Sequence, residues 1–193
     1  MRKSEKTRQF IIAQSAAIIN KKGVAGTAIS DLMDATKLAK GGIYGNFENK
    51  EEICVEAFNH LTAIISAGLD KAAAAKSTPK DKLFAILDYY VEHHTTTQLG
   101  GCPLLNFGME ADDTNPKLRM MVAKAAKRSQ QRFSKLIEEG QRHGNFSKKA
   151  DPELFAMKMF TMIEGGIFLT RVSGNKSTMK TVIDILKKEI DAL

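Results

Sequence analysis

Apolar residues return at intervals of three and four positions along almost the whole chain, and this spacing limits the folds that are open to it. It is the spacing of helices that bury one face, whereas strands of a half-buried sheet alternate apolar and polar residues. No alternating run bounded by turn residues interrupts the pattern. The sequence therefore predicts an all-α fold, and its last helix has a wide apolar face: Met179, Val182, Ile183, Leu186, Ile190 and Leu193.

Start and stop signals divide the chain into about nine helices. Gly23 ends the first helix, and Thr27 or the residue after it caps a short second helix. A third helix is predicted over about residues 40–47, and Asn49, three residues before a carboxylate, opens a long fourth helix. Prolines that follow turn residues mark the start of the next four helices: Pro79, Pro103, Pro116 and Pro152.

The composition argues against export, membrane insertion and metal binding. No apolar stretch approaches the ~18 residues of a spanning helix, and the N-terminal residues contain no apolar signal core. Cys54 and Cys102 lie far apart and lack metal-type spacing, which predicts neither a disulfide framework nor a zinc site. We therefore expect a cytoplasmic protein with no metal, no other cofactor and no membrane partner. Its 193 residues allow one large domain or two small ones.

Positive charge is concentrated at the start of the chain. Residues 1–50 hold nine Lys and Arg against four Asp and Glu, whereas residues 51–193 hold 20 against 18. A basic segment on a balanced body is typical of a protein that neutralises phosphates. The same charges could merely solvate a helix surface, so charge alone leaves both interpretations open.

Two short helices within this basic segment, over residues 24–47, follow a longer helix and are separated by three residues. This is the arrangement of a helix-turn-helix, whose second short helix faces the major groove of DNA, although two packed core helices can share the spacing. Gly41 and Gly42 cost a helix about 1 kcal/mol each relative to alanine, but they let a phosphate or base edge approach the backbone. The glycines therefore favour DNA binding.

The side chains around these glycines suit the same role. Lys40, Tyr44 and Asn46 supply hydrogen-bonding groups for bases or phosphates. Lys50 falls in the first turn of the fourth helix, where its amine and the free backbone amides suit a phosphate oxygen. Ile43, together with Phe47, should face the core.

Residues 40–53 resemble the strongest signature of the TetR/AcrR family of repressors, and Thr7-Arg8, Ile11, Gly23, Thr27 and Leu32 stand at matching spacings. The resemblance implies a three-helix DNA-binding domain, placed at residues 1–48, and a ligand-responsive helical domain, placed at residues 49–193. Lys37 and Ala39 depart from the family's usual glycine and serine. The family's docking on double-stranded DNA implies base-edge positions Ser30, Lys40, Gly41 and Tyr44, and backbone positions Thr27, Gly42, Gly45, Asn46 and Lys50.

The resemblance also implies a homodimer that pairs through the last two long helices. Gly165 and Gly166 permit close approach of another helix, and the ninth helix is too apolar on one side for a lone surface helix. An intramolecular core would show the same stripes. Two-fold symmetry predicts a palindromic operator read in major grooves ~34 Å apart. The candidate interface residues are Phe160, Ile163, Ile167, Met179, Val182, Ile183, Leu186 and Ile190.

Soft and aromatic side chains in the middle helices could line a cavity for a small-molecule effector, although such residues also fill ordinary cores. Adjacent His93 and His94 point to different faces, which argues against a metal site. Glu164 is either a polar group of the pocket or part of the helix surface. The candidate ligand-binding residues are Leu61, Tyr90, His94, Cys102, Phe107, Met121, Phe160 and Glu164.

Cys102 supports a separate hypothesis. With Pro103 at the first helical position, Cys102 is the N-cap, where the helix dipole favours a reactive thiolate that could sense an electrophile or oxidant. A small residue buried in a turn is the alternative. No nucleophile with its base, acid–base pair or metal cluster indicates an enzyme. We predict a ligand-responsive repressor, with a Cys102 sensor or a non-enzymatic helical interaction module as alternatives.

Overall fold

The computed structural model describes residues 3–94 and 99–193, and over these residues the regular secondary structure consists of nine helices. This confirms the predicted all-α fold. The helices are α1 (Lys3–Lys22), α2 (Ile29–Thr36), α3 (Lys40–Tyr44), α4 (Lys50–Ala74), α5 (Pro79–His94), α6 (Pro103–Ala111), α7 (Pro116–Arg142), α8 (Pro152–Ser173) and α9 (Ser177–Asp191). Among them, none is long and apolar enough to cross a bilayer.

The turn between α1 and α2 differs in one detail from the sequence prediction. Gly23 ends α1 with a φ of 81°, a left-handed conformation that glycine adopts without strain. Thr27 does not cap α2, because its hydroxyl donates to the Gly23 carbonyl at 2.6 Å. Ala28 occupies the N-cap position, and its amide donates to the Asp31 carboxylate at 2.9 Å. The cap therefore lies one residue later, and an acidic side chain of the first turn satisfies it.

Other helix starts form as the sequence predicts. The Asn49 side chain accepts the Glu52 amide at 2.9 Å, and the Glu52 carboxylate accepts the Glu48 amide at 2.7 Å, so α4 opens with a reciprocal pair of caps. Asp151 likewise accepts two amides at the start of α8. These bonds satisfy amides that have no partner within their own helix.

The chain divides into two compact units. The first contains α1 to α3, α4 as far as Ile65, α6, and α7 as far as Val122. Its core gathers apolar side chains from five helices: Ile11, Ile19, Leu32, Ile43, Phe58 and Phe107. The rings of Phe58 and Phe107 pack with centroids 5.4 Å apart, which joins α6 to α4.

The second unit contains α4 from Ser66, α5, α7 from Ala123, and both α8 and α9. The α9 helix packs against both α8 and α5. A Cβ at Gly166 would lie 3.0 Å from the Met179 sulfur, so the missing side chain lets α8 and α9 approach closely. The core of this unit includes Leu83, Leu87, Phe133, Met159, Ile163, Ile183 and Leu186.

Candidate nucleic-acid interface

The short helix α3 has one buried side and one exposed side. Ile43 is 0% exposed and Phe47 is 3% exposed, as the sequence predicts. The exposed positions are Lys40, Gly41, Gly42, Tyr44 and Gly45, and Ser30 on α2 is exposed as well. The Lys40 ammonium lies 6.0 Å from the centroid of the Tyr44 ring. The outer side of α3 therefore presents a cation, a phenol and bare backbone.

Gly41 has no packing reason to be a glycine. A Cβ built at this position would meet no atom of the described chain within 4 Å, and Gly41 is not among the glycines with a positive φ. A helix pays for such a glycine in stability. The absent side chain therefore leaves room on the solvent side, where another molecule can come close to the backbone.

Thr27 and Lys50 form a contact that ties α4 to the turn before α2. The Lys50 ammonium donates to the Thr27 carbonyl at 2.8 Å. Thr27 is only 1% exposed, and its hydroxyl is already used by Gly23. Thr27 therefore holds Lys50 in place through its backbone, and the ammonium keeps two further N–H donors for a phosphate.

Asn46 is half-buried beside the end of α3. Its side-chain amide donates to the Gly42 carbonyl at 2.9 Å, and its own carbonyl accepts a hydrogen bond from the Arg8 guanidinium at 2.7 Å. Arg8 also pairs with Glu52 at 2.8 Å and Glu56 at 3.2 Å. One side chain of α1 thus links the end of α3 to α4.

The charges of this cluster shift two pKa values. Burial by itself lowers the pKa of the Arg8 guanidinium, but hydrogen bonds and charge from Glu52 and Glu56 raise it above its usual value. The Glu48 amide and then Arg8 hold the pKa of the Glu52 carboxyl below its usual range. Both groups therefore remain charged at neutral pH.

Lys37 and Ala39 have distinct consequences for the turn between α2 and α3. Lys37 follows α2 with a φ of 58°, the left-handed conformation in which the family's usual glycine is relaxed. Ala39 is the N-cap of α3 and offers no side-chain acceptor to the helix amides. The lysine thus accepts a conformation that a glycine would adopt without strain.

Comparison with known proteins decides the family. Residues 11–57 match the family described as "Bacterial regulatory proteins, tetR family", and residues 79–186 match "Tetracyclin repressor-like, C-terminal domain". The chain belongs to the TetR family of bacterial transcriptional regulators. The resemblance carried by residues 40–53 is thereby confirmed.

Relatives of this TetR-family chain align over nearly its whole length. A solved TetR-family regulator from Cytophaga hutchinsonii is 34% identical, with a TM-score of 0.92, over 100% of this chain and 97% of its own. A second, from Chloroflexus aurantiacus, is 34% identical, with a TM-score of 0.93, over 98% and 96% of the two chains. The transcriptional repressor DhaR of a Mycobacterium species is 24% identical over 93% of this chain and 89% of its own. The chain is a DNA-binding transcriptional regulator and not an enzyme.

The predicted ligand-binding residues are divided between the two units of this regulator. Leu61, Cys102, Phe107 and Met121 belong to the first unit, and Tyr90, Phe160 and Glu164 belong to the second. Most of these side chains are buried, and Phe107 already packs on Phe58. His94 ends α5, but its side chain lies outside the described residues. A ligand site built from this set stays a prediction.

Most residues predicted for a dimer interface are buried inside the single chain. Six of them are at most 1% exposed: Ile163, Ile167, Met179, Ile183, Leu186 and Ile190. Phe160 and Val182 are half-buried. The six buried side chains are core residues, so none of them presents a face to a second copy. The outer face of α8 carries a different apolar set, each 49% exposed or more: Leu154, Met157, Phe168, Leu169 and Val172.

Two features of the first unit have no local signal in the sequence. Arg8 belongs to the family signature, but its spacing does not reveal that it reaches the end of α3. Glu110 of α6 accepts the backbone amides of Val24 and Ala25, across a separation of more than eighty residues. A partner so distant in sequence becomes visible only when α6 packs beside α1.

Proposed function

We propose that this TetR-family regulator is a repressor that binds a palindromic operator as a homodimer and leaves it when a small molecule binds the C-terminal helical domain. It would act on DNA in the cytoplasm. The observation that carries the proposal is the exposed side of α3, where Lys40 and Tyr44 flank a glycine that packing does not require. The family membership gives this surface its partner, a DNA duplex.

The proposed DNA contacts divide by chemistry. Lys40, Tyr44 and Ser30 carry exposed donors and acceptors suited to base edges. Gly41 and Gly42 let the backbone of α3 approach the groove, and Lys50 supplies a phosphate contact. Thr27 takes part indirectly, because its buried carbonyl positions the Lys50 ammonium. Its side chain is not expected to touch DNA.

The outer face of α8 supports the proposed homodimer. Leu154, Met157, Phe168, Leu169 and Val172 lie at helical spacing on the side opposite the buried residues of α8. A contiguous exposed apolar face of this kind marks an interaction surface. A second copy that covers this face brings two α3 helices into a two-fold arrangement, which a palindromic operator matches.

The proposed effector response uses α4, which begins at Lys50 and extends from the first unit into the second. A ligand that favours one orientation of α4 changes the distance between the two α3 helices of the dimer. The ligand must bind the orientation that does not fit DNA more tightly, since only a difference in affinity shifts the population. The predicted pocket residues are the candidates for that contact.

The DNA proposal is tested with the DNA upstream of the protein's own gene. A fluorescently labelled fragment is titrated with wild type, Lys40→Ala and Tyr44→Ala at two salt concentrations, with a scrambled duplex as the reference. Lys40→Ala should lower the salt slope by about two in a dimer, because one phosphate or base contact is lost in each copy. Lys180→Ala, exposed on α9, is the matched control. Equal binding by wild type and both α3 variants would refute the proposed interface.

The dimer is tested separately by light scattering at micromolar concentration. Wild type should have twice the mass of the chain, and Phe168→Glu should shift the population towards the monomer because it places a charge in the apolar contact. Met120→Glu makes the same change at an exposed methionine of α7 and should leave the dimer intact. A monomeric wild type would contradict the proposal.

A further inference from the structure

The helix α6 contacts the DNA-binding half of the first unit at successive turns. Asn106 donates to the Asn20 carbonyl at 2.8 Å, and Phe107 packs on Phe58 of α4. One turn later, Glu110 reaches the segment between α1 and α2. Any displacement of α6 therefore acts directly on the elements that hold α2 and α3.

The Glu110 carboxylate holds the turn that leads into α2. Its two oxygens accept the Val24 amide at 2.6 Å and the Ala25 amide at 2.5 Å. A Cβ on Gly23 would lie 2.9 Å from this carboxylate, so the glycine that ends α1 also makes room for it. Ionised acceptors form stronger hydrogen bonds with backbone amides than neutral ones do. One side chain thus fixes two consecutive peptide groups of the turn.

The position of this turn determines where Lys50 is held. The Thr27 hydroxyl donates to the Gly23 carbonyl, and the Thr27 carbonyl accepts the Lys50 ammonium. The segment that Glu110 fixes is therefore the same segment that orients Lys50 and starts α2. A shift of α6 can reach the proposed phosphate contact through three hydrogen-bonded residues.

The other polar contact of α6 has a different character. The Asn20 side chain donates to the carbonyls of Leu99 and Gly101, and Asn106 donates to the Gly100 carbonyl. One of these bonds is buried and the others are partly buried, and breaking them would leave backbone carbonyls short of partners. The bonds of Glu110 are partly buried and exposed, so water can replace them. Glu110 is the contact of α6 that can open and close without disrupting the core.

We propose that Glu110 is a positioning residue for operator binding: it couples the position of α6 to the α1–α2 turn and to Lys50. The inference rests on the proposed function, since it concerns binding to an operator. With Glu110 engaged, the turn is held in one conformation and α2 and Lys50 are ordered for DNA. With Glu110 released, the protein remains folded but must order the turn when it binds.

The experiment compares Glu110→Ala with Glu110→Gln and with Asp113→Ala, which removes an exposed carboxylate just beyond α6. Each full-length protein is titrated by anisotropy against the upstream operator fragment and a scrambled duplex at one salt concentration. Amide hydrogen exchange at Val24 and Ala25 is followed in the same proteins, and thermal unfolding shows which variants remain folded. Asp113→Ala controls for the general gain in DNA affinity that follows removal of a negative charge.

Glu110→Ala should bind the operator about tenfold more weakly, the equivalent of one charged hydrogen bond, while its affinity for the scrambled duplex stays within about twofold. Its Val24 and Ala25 amides should exchange faster. Glu110→Gln, which keeps one acceptor oxygen, should fall between wild type and Glu110→Ala, and Asp113→Ala should match wild type. The ratio of operator to scrambled affinity is the readout that a merely structural contact would not change.

Unchanged selectivity in a folded Glu110→Ala protein would overturn the inference, whether or not its turn exchanges faster. If Glu110→Ala does not fold, Glu110→Gln decides by the same ratio: reduced selectivity supports the inference and unchanged selectivity overturns it. A wild type that fails to distinguish operator from scrambled DNA overturns both the inference and the proposed function. That result is distinct from wild-type selectivity that survives the loss of Glu110.

Discussion

Replacement of Arg8 by alanine should destabilise the first unit more than removal of an ordinary surface arginine. The guanidinium donates to the Asn46 carbonyl at 2.7 Å, pairs with Glu52 and Glu56, and lies 4.2 Å from the centroid of the Phe47 ring. Its side chain is 24% exposed, so solvent weakens these contacts without abolishing them.

The expected loss follows from these contacts taken at the low end of their usual ranges. A charge-assisted hydrogen bond to a partly buried carbonyl contributes about 1 to 1.5 kcal/mol. Two partly exposed ion pairs add roughly 0.3 to 0.5 kcal/mol each, and the contact with the ring adds about 0.5 kcal/mol. We therefore expect Arg8→Ala to lower the free energy of unfolding of this unit by about 2 to 3 kcal/mol.

Urea unfolding combined with amide exchange in α1 and α4 measures this loss for the first unit. Arg8→Lys keeps the charge but not the planar fork, and should recover less than half of the loss. Arg128→Ala, exposed on α7, is the matched control and should change stability by less than about 0.5 kcal/mol. A similarly small change for Arg8→Ala would show that these contacts do not link α1, α3 and α4.

Three further predictions concern the same chain. Lys37→Gly should stabilise the protein by roughly 0.5 to 1 kcal/mol in thermal unfolding, because relief of the left-handed conformation exceeds the extra unfolded-state entropy of glycine; a lower melting temperature would contradict this. The lowered pKa of Glu52 means that its contribution to stability is present above its ordinary pKa of 4.5 and is lost as the pH falls through the lower folded-state pKa, so Glu52→Gln should lose less stability than wild type between pH 6 and pH 3. Burial raises the pKa of the Cys54 thiol to about 11, so in Cys102→Ser the remaining thiol should react with a disulfide reagent at pH 8 only after unfolding. DNA release by an electrophile that persists unchanged in Cys102→Ser would exclude the sensor hypothesis.

Local signals in the sequence predict much of the fold and part of the DNA interface. The positive φ of Gly23, the cap from Asn49 and the inward positions of Ile43 and Phe47 all depend on neighbours within a few residues. Periodicity therefore suffices to predict them. Thr27 was assigned to the DNA backbone from the family resemblance, and its hydroxyl instead donates to Gly23, a competition between two local hydrogen bonds that spacing cannot resolve.

The sequence could not separate the core stripe of α8 from its exposed stripe. Ile163 and Ile167 face the interior, whereas Phe168 and Leu169 face solvent, and all four are equally apolar neighbours in one helix. Periodicity defines faces but does not say which face meets the rest of the same chain. The packing of α9 and α5 settles that choice.

By itself, the sequence determined the helices, their ends and the family, because caps, glycines and apolar periodicity act over one or two turns. The tertiary structure decided which groups meet across long separations: Glu110 with the α1–α2 turn, Arg8 with the end of α3, and Lys50 with the Thr27 carbonyl. These contacts form only after the helices have packed, since the residues involved carry no mutual signal along the chain. Their strength depends on burial and geometry, which packing alone provides.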